Sequence, residues 1–172
     1  PGADPEDMVG IRIWFETDRI ISTRKRKILS ISDIRAALEQ GIGPESLSDF
    51  LVQLAGRMME RMRHVIDDLE DAVADVEDQV LSSESRQLRT ELAALRRQAI
   101  SLRRYLSPQR EALSRLLTEK IAWLVESDSI RLREVDDQLT RHIEDLDEAR
   151  DRAAVNQEQL FNSRSEQMNN KM

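Results

Sequence analysis

The chain has no cysteine, so neither a disulfide framework nor a thiolate metal site can be built from it. That absence leans towards a reducing compartment. Aromatic residues make up only 3% of the sequence, with 5 glycines and 4 prolines. So few turn formers, beside many Leu, Ala, Arg and Glu residues, favour long helices packed along narrow seams. The glycines are scattered, which excludes a glycine-rich phosphate loop. With His64 and His142 the only histidines, a zinc cage from one chain is not expected. Long apolar runs are also missing. Ile121-Ala122-Trp123-Leu124-Val125 falls far short of the ~20 residues needed to cross a bilayer, so no span or signal peptide is visible and the chain reads as soluble. The net charge of −7 argues against a general affinity for nucleic acid, which needs a basic face.

What is present is charge and aliphatic side chains. Charged residues reach 34% and hydrophobic residues 40%, enough to keep 172 residues from being disordered and suited to a thin, elongated core. The length suits one domain, or one domain with an extension. Residues 1–7 read as a ragged start. From Met8 to Leu29 the pattern is a β-hairpin: Ile11, Ile13 and Phe15 alternate with Arg12, Trp14 and Glu16, Thr17-Asp18-Arg19 turns, and IISTRKRKIL returns. An isolated hairpin is marginal in water, so its sheet is expected to have further strands N-terminal to this chain. Ser32 is expected to N-cap a short helix that Gly41 ends. Pro44 is expected at the first position of a long helix. Its stripe is Leu47, Leu51, Leu54, Met58, Met62, Val65, Leu69, Val73, Val76 and Val80, with heptad-like steps.

Ser82 to Ser85 breaks that pattern and can cap a second helix with stripe Leu88, Leu92, Leu95, Ala99, Leu102, Leu106, Leu113 and Leu117. Pro108 inside it should kink the helix or remove one backbone hydrogen bond. A break at 126–129, with Ser127 or Asp128 as cap, precedes a third helix from Ser129 to Met172, on the order of 65 Å long. Its stripe is Leu132, Val135, Leu139, His142 or Ile143, Leu146, Ala149, Ala153 and Leu160. Past Leu160 the aliphatic residues stop but no Gly or Pro ends the helix, so the chain is expected to continue and that end to need a partner. The fold class is mainly α: three long coiled-coil-like helices plus a β-hairpin. The parts are 1–43, 44–128 and 129–172.

Most charged clusters have an ordinary reading. Arg24-Lys25-Arg26-Lys27 is expected on an exposed hairpin edge, where cations deter edge pairing, before nucleic acid or anionic lipid is invoked. Asp67-Asp68, Glu70-Asp71, Asp75 and Glu77-Asp78 read as a solvated helix face that selects no particular metal. His64 reads as a surface or boundary residue, and His142 as a hydrogen-bond partner of a neighbouring helix. Neither has a nucleophile or second base at catalytic spacing, so an enzyme is not expected. Asn156, Glu158, Asn162, Ser165, Asn169 and Met172 recur along one broad face of the last helix. That face is a solvated tail or, in a symmetric bundle of copies, a set of polar rings able to pass hydrated ions.

At SLRRYLSPQREALSRLL (101–117) and REVDDQLTRHIEDLDEARDRAAVNQEQLFNSRSEQMNNKM (133–172) the chain resembles the CorA-type divalent-metal transporters, most of all their ZntB zinc-transporter branch. One part of the likeness is Leu106, Pro108, Arg110 and Glu111. The other is His142 followed by Ser165, Met168, Asn169 and Met172. The hairpin also looks like that branch. The resemblance implies the cytoplasmic domain of a homopentamer at the bacterial inner membrane, with the hairpin a remnant of an α/β subdomain and the third helix a stalk leading to membrane spans absent from this chain. It implies that Asn169, Met172, Ser165, Asn162 and Glu158 line the ion path, and that Glu134 lies near a regulatory metal position. The divalent cation, Zn²⁺ or Mg²⁺, is then cargo and no stably bound cofactor is expected. A magnesium or cobalt transporter, or a soluble helical scaffold, is the alternative.

Overall fold

The computed structural model describes the backbone of residues 10–16, 19–82 and 86–169, and their side chains apart from 81–82, 86 and 163–169. The elements are β1 (Ile11–Phe15), β2 (Ile20–Arg24), α1 (Leu29–Glu39), α2 (Leu47–Ser82), α3 (Arg86–Thr118) and α4 (Glu126–Asn169). The architecture is mainly α with one two-stranded antiparallel sheet, as the sequence pattern requires. Two compact units form: residues 1–62 with 108–140, and residues 63–107 with 141–172.

In the first unit, β1 and β2 pair with Ile13 opposite Ser22 and Phe15 opposite Ile20. The period-2 alternation sends Ile13, Phe15 and Ile20 onto a core of Ile34, Phe50 and Leu54. Phe15 stacks on Trp123 with centroids 4.9 Å apart and meets Phe50 edge-on at 6.3 Å. Trp14 and its cross-strand partner Ile21 lie on the outer face, exposed. The expected turn residues Thr17 and Asp18 lie outside the described residues.

The helix starts differ from the sequence reading. β2 ends at Arg24, so Lys25, Arg26 and Lys27 follow the strand instead of forming its edge. Leu29 already belongs to α1, whose N-cap is Ile28 in extended conformation. Ser32 therefore lies inside the helix, its hydroxyl donating to the Ile28 carbonyl at 3.2 Å. Burying Ile28, Ser30 and Ile34 outweighs the capping preference of Ser32. Gly41 ends α1 as expected: at φ 74° it lets Ile42 N–H reach Ala37 O at 3.0 Å and Gly41 N–H reach Leu38 O at 3.1 Å. The next helix opens at Leu47, three residues past Pro44. Ser46 Oγ accepts from Asp49 N–H at 3.0 Å while the Asp49 carboxylate accepts from Glu45 N–H at 3.2 Å, and this reciprocal cap sets the start. The last helix begins at Glu126 with Val125 O accepting its first bond, from Ser129 N–H at 2.9 Å, so neither Ser127 nor Asp128 is the cap. The apolar run 121–125 lies in the connecting loop.

The second unit packs three helical segments around Val76, Leu88, Leu92, Ala153 and Leu160. The stripes of α3 and α4 are buried much as their spacing requires, and at the ambiguous position it is Ile143, not His142, that enters the core. His142 sits beside the seam with Nδ1 3.7 Å from Asp145 on its own helix, rather than bonded to a neighbour. The expected stripe of α2 holds at Leu54 and again from Leu69. Between them Met59 and Ile66 (1% exposed) are the fully buried positions, while Met58, Met62 and Val65 are half-buried, Met58 against the core of the first unit. The capping positions Ser83 to Ser85 lie outside the described residues. Pro108 does not end α3; lacking an N–H, it leaves Arg104 O without that helical bond, as expected.

Candidate functional site

The backbone of α4 stays helical through Asn169, and Glu158, Asn162, Ser165 and Asn169 fall four, three and four residues apart on one face. Glu158 and Asn162 are exposed. Ser165 and Asn169 lie beyond the described side chains, and Met172 lies outside the described residues altogether.

Asn156 leaves that polar face. It is 7% exposed and sits in the seam between Ala153 and Leu160. Its Nδ2 donates to Glu77 Oε1 at 2.7 Å and to Arg152 O at 2.9 Å, which uses both amide hydrogens. The sequence pattern missed this because Asn156 reads equally well as exposed. Arg152 also grips Glu77 through two bonds, with Nε to Oε1 at 3.1 Å. The Arg152 bonds hold the Glu77 carboxyl below the ordinary value, against burial and with help from Asn156. Two turns earlier, burial pushes Glu70 up, reinforced by Asp145, Asp67 and Glu148 and opposed by Arg152. Two carboxylates on one helix are thus pushed in opposite directions by what faces them.

The first unit holds a second polar cluster. Asp128, in the first turn of α4, accepts from the buried Ser48 hydroxyl at 2.6 Å and from Arg131 at 2.9 Å. Arg131 also donates to Asp49 at 2.8 Å, so one guanidinium spans the first-turn acids of α2 and α4. Burial would raise the Asp49 carboxyl, but bonds from Arg131, Glu45 N–H and Gln53 outweigh it and hold it low. Asp136 is the opposite case. Its Oδ1 is buried without a hydrogen-bond partner among the described residues, and burial, then Asp137, push it up against the pull of Arg110.

The remaining sequence-marked residues are dispersed. Leu106 is fully buried in the core of the second unit. Pro108, Arg110 and Glu111 are exposed, Glu111 pairing with Arg115 at 2.6 Å on the same helix. Glu134 is exposed on α4, and His64 is exposed on α2. Among the described residues, no group of three or more His, Cys, Asp or Glu is arranged to hold a metal ion. No described helix is long and apolar enough to cross a membrane. A cleft of about 360 Å³ between the hairpin, α1 and the start of α2 has the apolar residues Ile20, Ile34, Leu38 and Phe50 in its lining. Arg19 and Arg35, which also line it, are already paired with Glu16 and Glu39.

Comparison with known proteins supplies what the geometry of one chain does not. The family model described as CorA-like Mg2+ transporter protein matches residues 1–172. The divalent cation transporter CmaX of Pseudomonas aeruginosa is 38% identical over 173 residues, covering 100% of this chain and 52% of that protein. The zinc transport protein ZntB of Pectobacterium atrosepticum is 38% identical over 167 residues, covering 97% and 51%. The structure of full-length CmaX aligns with a TM-score of 0.91 at 36% identity, over 100% of this chain and 53% of that one. The ZntB cytoplasmic domain from Vibrio parahaemolyticus aligns at 0.85 and 28% identity, over 96% and 65%. The chain spans about half the length of the curated relatives it matches. These relatives are named as ion transporters, not enzymes. A match along its whole length, carried by a fold shared with two solved relatives, makes this chain a member of the CorA-like Mg2+ transporter family.

Proposed function

We propose that the chain is the cytoplasmic domain of a homopentameric divalent-cation transporter of the bacterial inner membrane, with zinc the transported ion. On this reading 1–43 is the remnant of an α/β subdomain, 44–128 supplies two bracing helices and 129–172 is the stalk leading to the membrane. The observation that carries it is on α4. Leu160 is the last buried apolar residue among the described side chains, yet the helix runs to Asn169, and the polar residues Glu158, Asn162, Ser165 and Asn169 recur along it at steps of four, three and four. A polar face costs a lone helix nothing in water, but five copies around an axis turn it into stacked rings of oxygen and amide groups. Such rings suit a hydrated cation, because carboxylate and amide oxygens replace or hold its water without binding it irreversibly.

Asn169 and Met172 are assigned to the membrane end of this path, and Ser165, Asn162 and Glu158 to its continuation below. The cation is cargo, and Glu134 on the outer stalk is the candidate for a regulatory cation contact. The zinc preference rests on the zinc transport proteins among the relatives. The competing magnesium reading is favoured by the description of the family as a whole. The test is flux through the full-length protein in liposomes loaded with a cation-sensitive dye. Zinc entry that falls severalfold on replacing Asn169 with Leu supports the assignment; magnesium entry without zinc entry refutes the zinc reading, and entry of neither refutes the transport reading.

A further inference from the structure

Charge is segregated by helix in the unit made of residues 63–107 and 141–172. Between Asp67 and Asp78, α2 carries seven carboxylates and no Lys or Arg. Glu70 and Glu77 turn towards groups on α4. Asp68, Asp71, Asp75 and Asp78 instead follow one another at steps of three, four and three, a single outward line in which every residue is exposed. The ion pair beside this line, Arg63–Asp67, is loose at 3.6 Å and open to solvent.

The outward face of α3 has the opposite sign. From Arg86 to Ser107 the helix as a whole holds six arginines and one acid, Glu91. Arg96 and Arg103 are seven residues apart, and Arg97 and Arg104 repeat that interval one position on; all four are exposed. Ile100 lies at their centre and is 46% exposed, an aliphatic side chain framed by guanidinium groups. Arg103 is engaged by Asp147 on α4 at 2.7 Å. Arg96, Arg97 and Arg104 point their charge outward.

We propose that these faces are the two halves of one contact between copies of this chain, the aspartate line of α2 in one copy docking on the arginine frame of α3 in the next. The intervals match. Asp68 to Asp75 and Asp71 to Asp78 each span seven residues, about 10.5 Å along a helix, as do Arg96 to Arg103 and Arg97 to Arg104. Two layers of opposite charge therefore align at once, and the arginine stems close over Ile100. Where each copy offers its two faces to two different neighbours, the contact is head-to-tail and builds a ring when its rotation closes. Docking either face on its own equivalent sets like charges against each other, which disfavours pairing α2 with α2 or α3 with α3. The contact rests on the assembly of copies proposed above and is independent of which ion the full-length protein carries.

Sedimentation of this 172-residue chain with EDTA present tests it, at about 50 mM and about 500 mM salt. Association is expected at low salt and should weaken about tenfold or more at high salt, because the paired charges lie at the surface. Two variants, Arg97→Glu with Arg104→Glu and Asp71→Arg with Asp75→Arg, alter only exposed positions, and circular dichroism checks that each remains folded. Each alone should lose at least about tenfold in association, and mixing them should recover part of it, since unlike copies present matching faces while an odd-numbered ring still keeps a like pair. A wild-type chain that stays monomeric at about 100 µM and low salt overturns the proposal. So does either variant associating as the wild type does, or a mixture that fails to recover. Association that needs added Mg²⁺ and survives Arg97→Glu with Arg104→Glu would assign the aspartates to cations instead, and also overturns it.

Discussion

Asp128→Ala removes the group that ties the first turn of α4 to the first turn of α2. Three interactions go with it. The bond from Ser48 is short (2.6 Å), buried and charge-assisted, a type that contributes about 1.5–3 kcal/mol. The carboxylate also favours the N-terminal end of the α4 dipole by about 0.3–1 kcal/mol. The Arg131 bond contributes little more, because that guanidinium is half exposed and keeps Asp49 as a partner. Ser48 is left fully buried, with the Ser46 hydroxyl 3.1 Å away as its remaining partner, which offsets part of the loss. The expected destabilisation is about 2–3 kcal/mol. Urea unfolding followed by tryptophan fluorescence measures it, because Trp14 and Trp123 both belong to the unit that contains Asp128. With a urea slope of about 1–3 kcal/mol per molar, the midpoint should fall by about 0.7–3 M. Ser48→Ala should cost less, and the double variant should show a coupling of about 1–2 kcal/mol. A loss under about 0.5 kcal/mol for Asp128→Ala, or strict additivity, would refute this account of the joint.

Phe15→Ala removes both ring contacts of the hairpin, with Trp123 and Phe50, and should cost about 3 kcal/mol in the same assay; an unchanged midpoint would mean that the hairpin is not held by this stack. Glu77→Gln should lower stability at neutral pH, and the gap from wild type should close as pH falls below the ordinary glutamate value of 4.5, since a depressed carboxyl stabilises only while ionised. Glu70→Gln should do the reverse: its raised carboxyl favours folding below 4.5 and loses that advantage as pH rises, so the variant should gain on the wild type towards neutral pH. Thermal melts across pH 3–8, followed by helical circular dichroism, distinguish the two, and parallel behaviour would contradict the opposite environments assigned to them. Asn156→Leu should be nearly neutral in stability, because an apolar side chain completes the seam between Ala153 and Leu160 while Arg152 keeps Glu77; a loss above about 3 kcal/mol would show that the amide anchors that helix pairing.

Periodicity makes the large elements legible in the amino-acid sequence itself. The steps of three and four through Leu132, Val135, Leu139, Ile143, Leu146, Ala149 and Ala153 give the buried face of α4, and the alternation of Ile11, Ile13 and Phe15 gives the inner face of β1. Helix starts are not legible in the same way, because capping side chains compete with burial. Ser32 is a better cap than Ile28 in isolation but lies inside the helix once Ile28, Ser30 and Ile34 are buried. Ser46 with Asp49 similarly overrides Pro44. The polar joints are hidden for another reason. Ser48 and Asp128 are 80 residues apart, and Glu77 and Asn156 are 79 apart, so no local spacing marks either pair. Asn156 belongs to the polar series of the last helix by sequence and to the core by packing, a distinction that only the neighbouring Glu77 and Arg152 create.

If this chain serves a membrane transporter of divalent cations, uptake by the full-length protein in proteoliposomes measures that role most directly. Zinc-driven dye quenching is expected to saturate with external zinc and to fall severalfold in the Asn169→Leu protein. Liposomes containing the protein that admit neither zinc nor magnesium faster than empty ones would contradict a transport role.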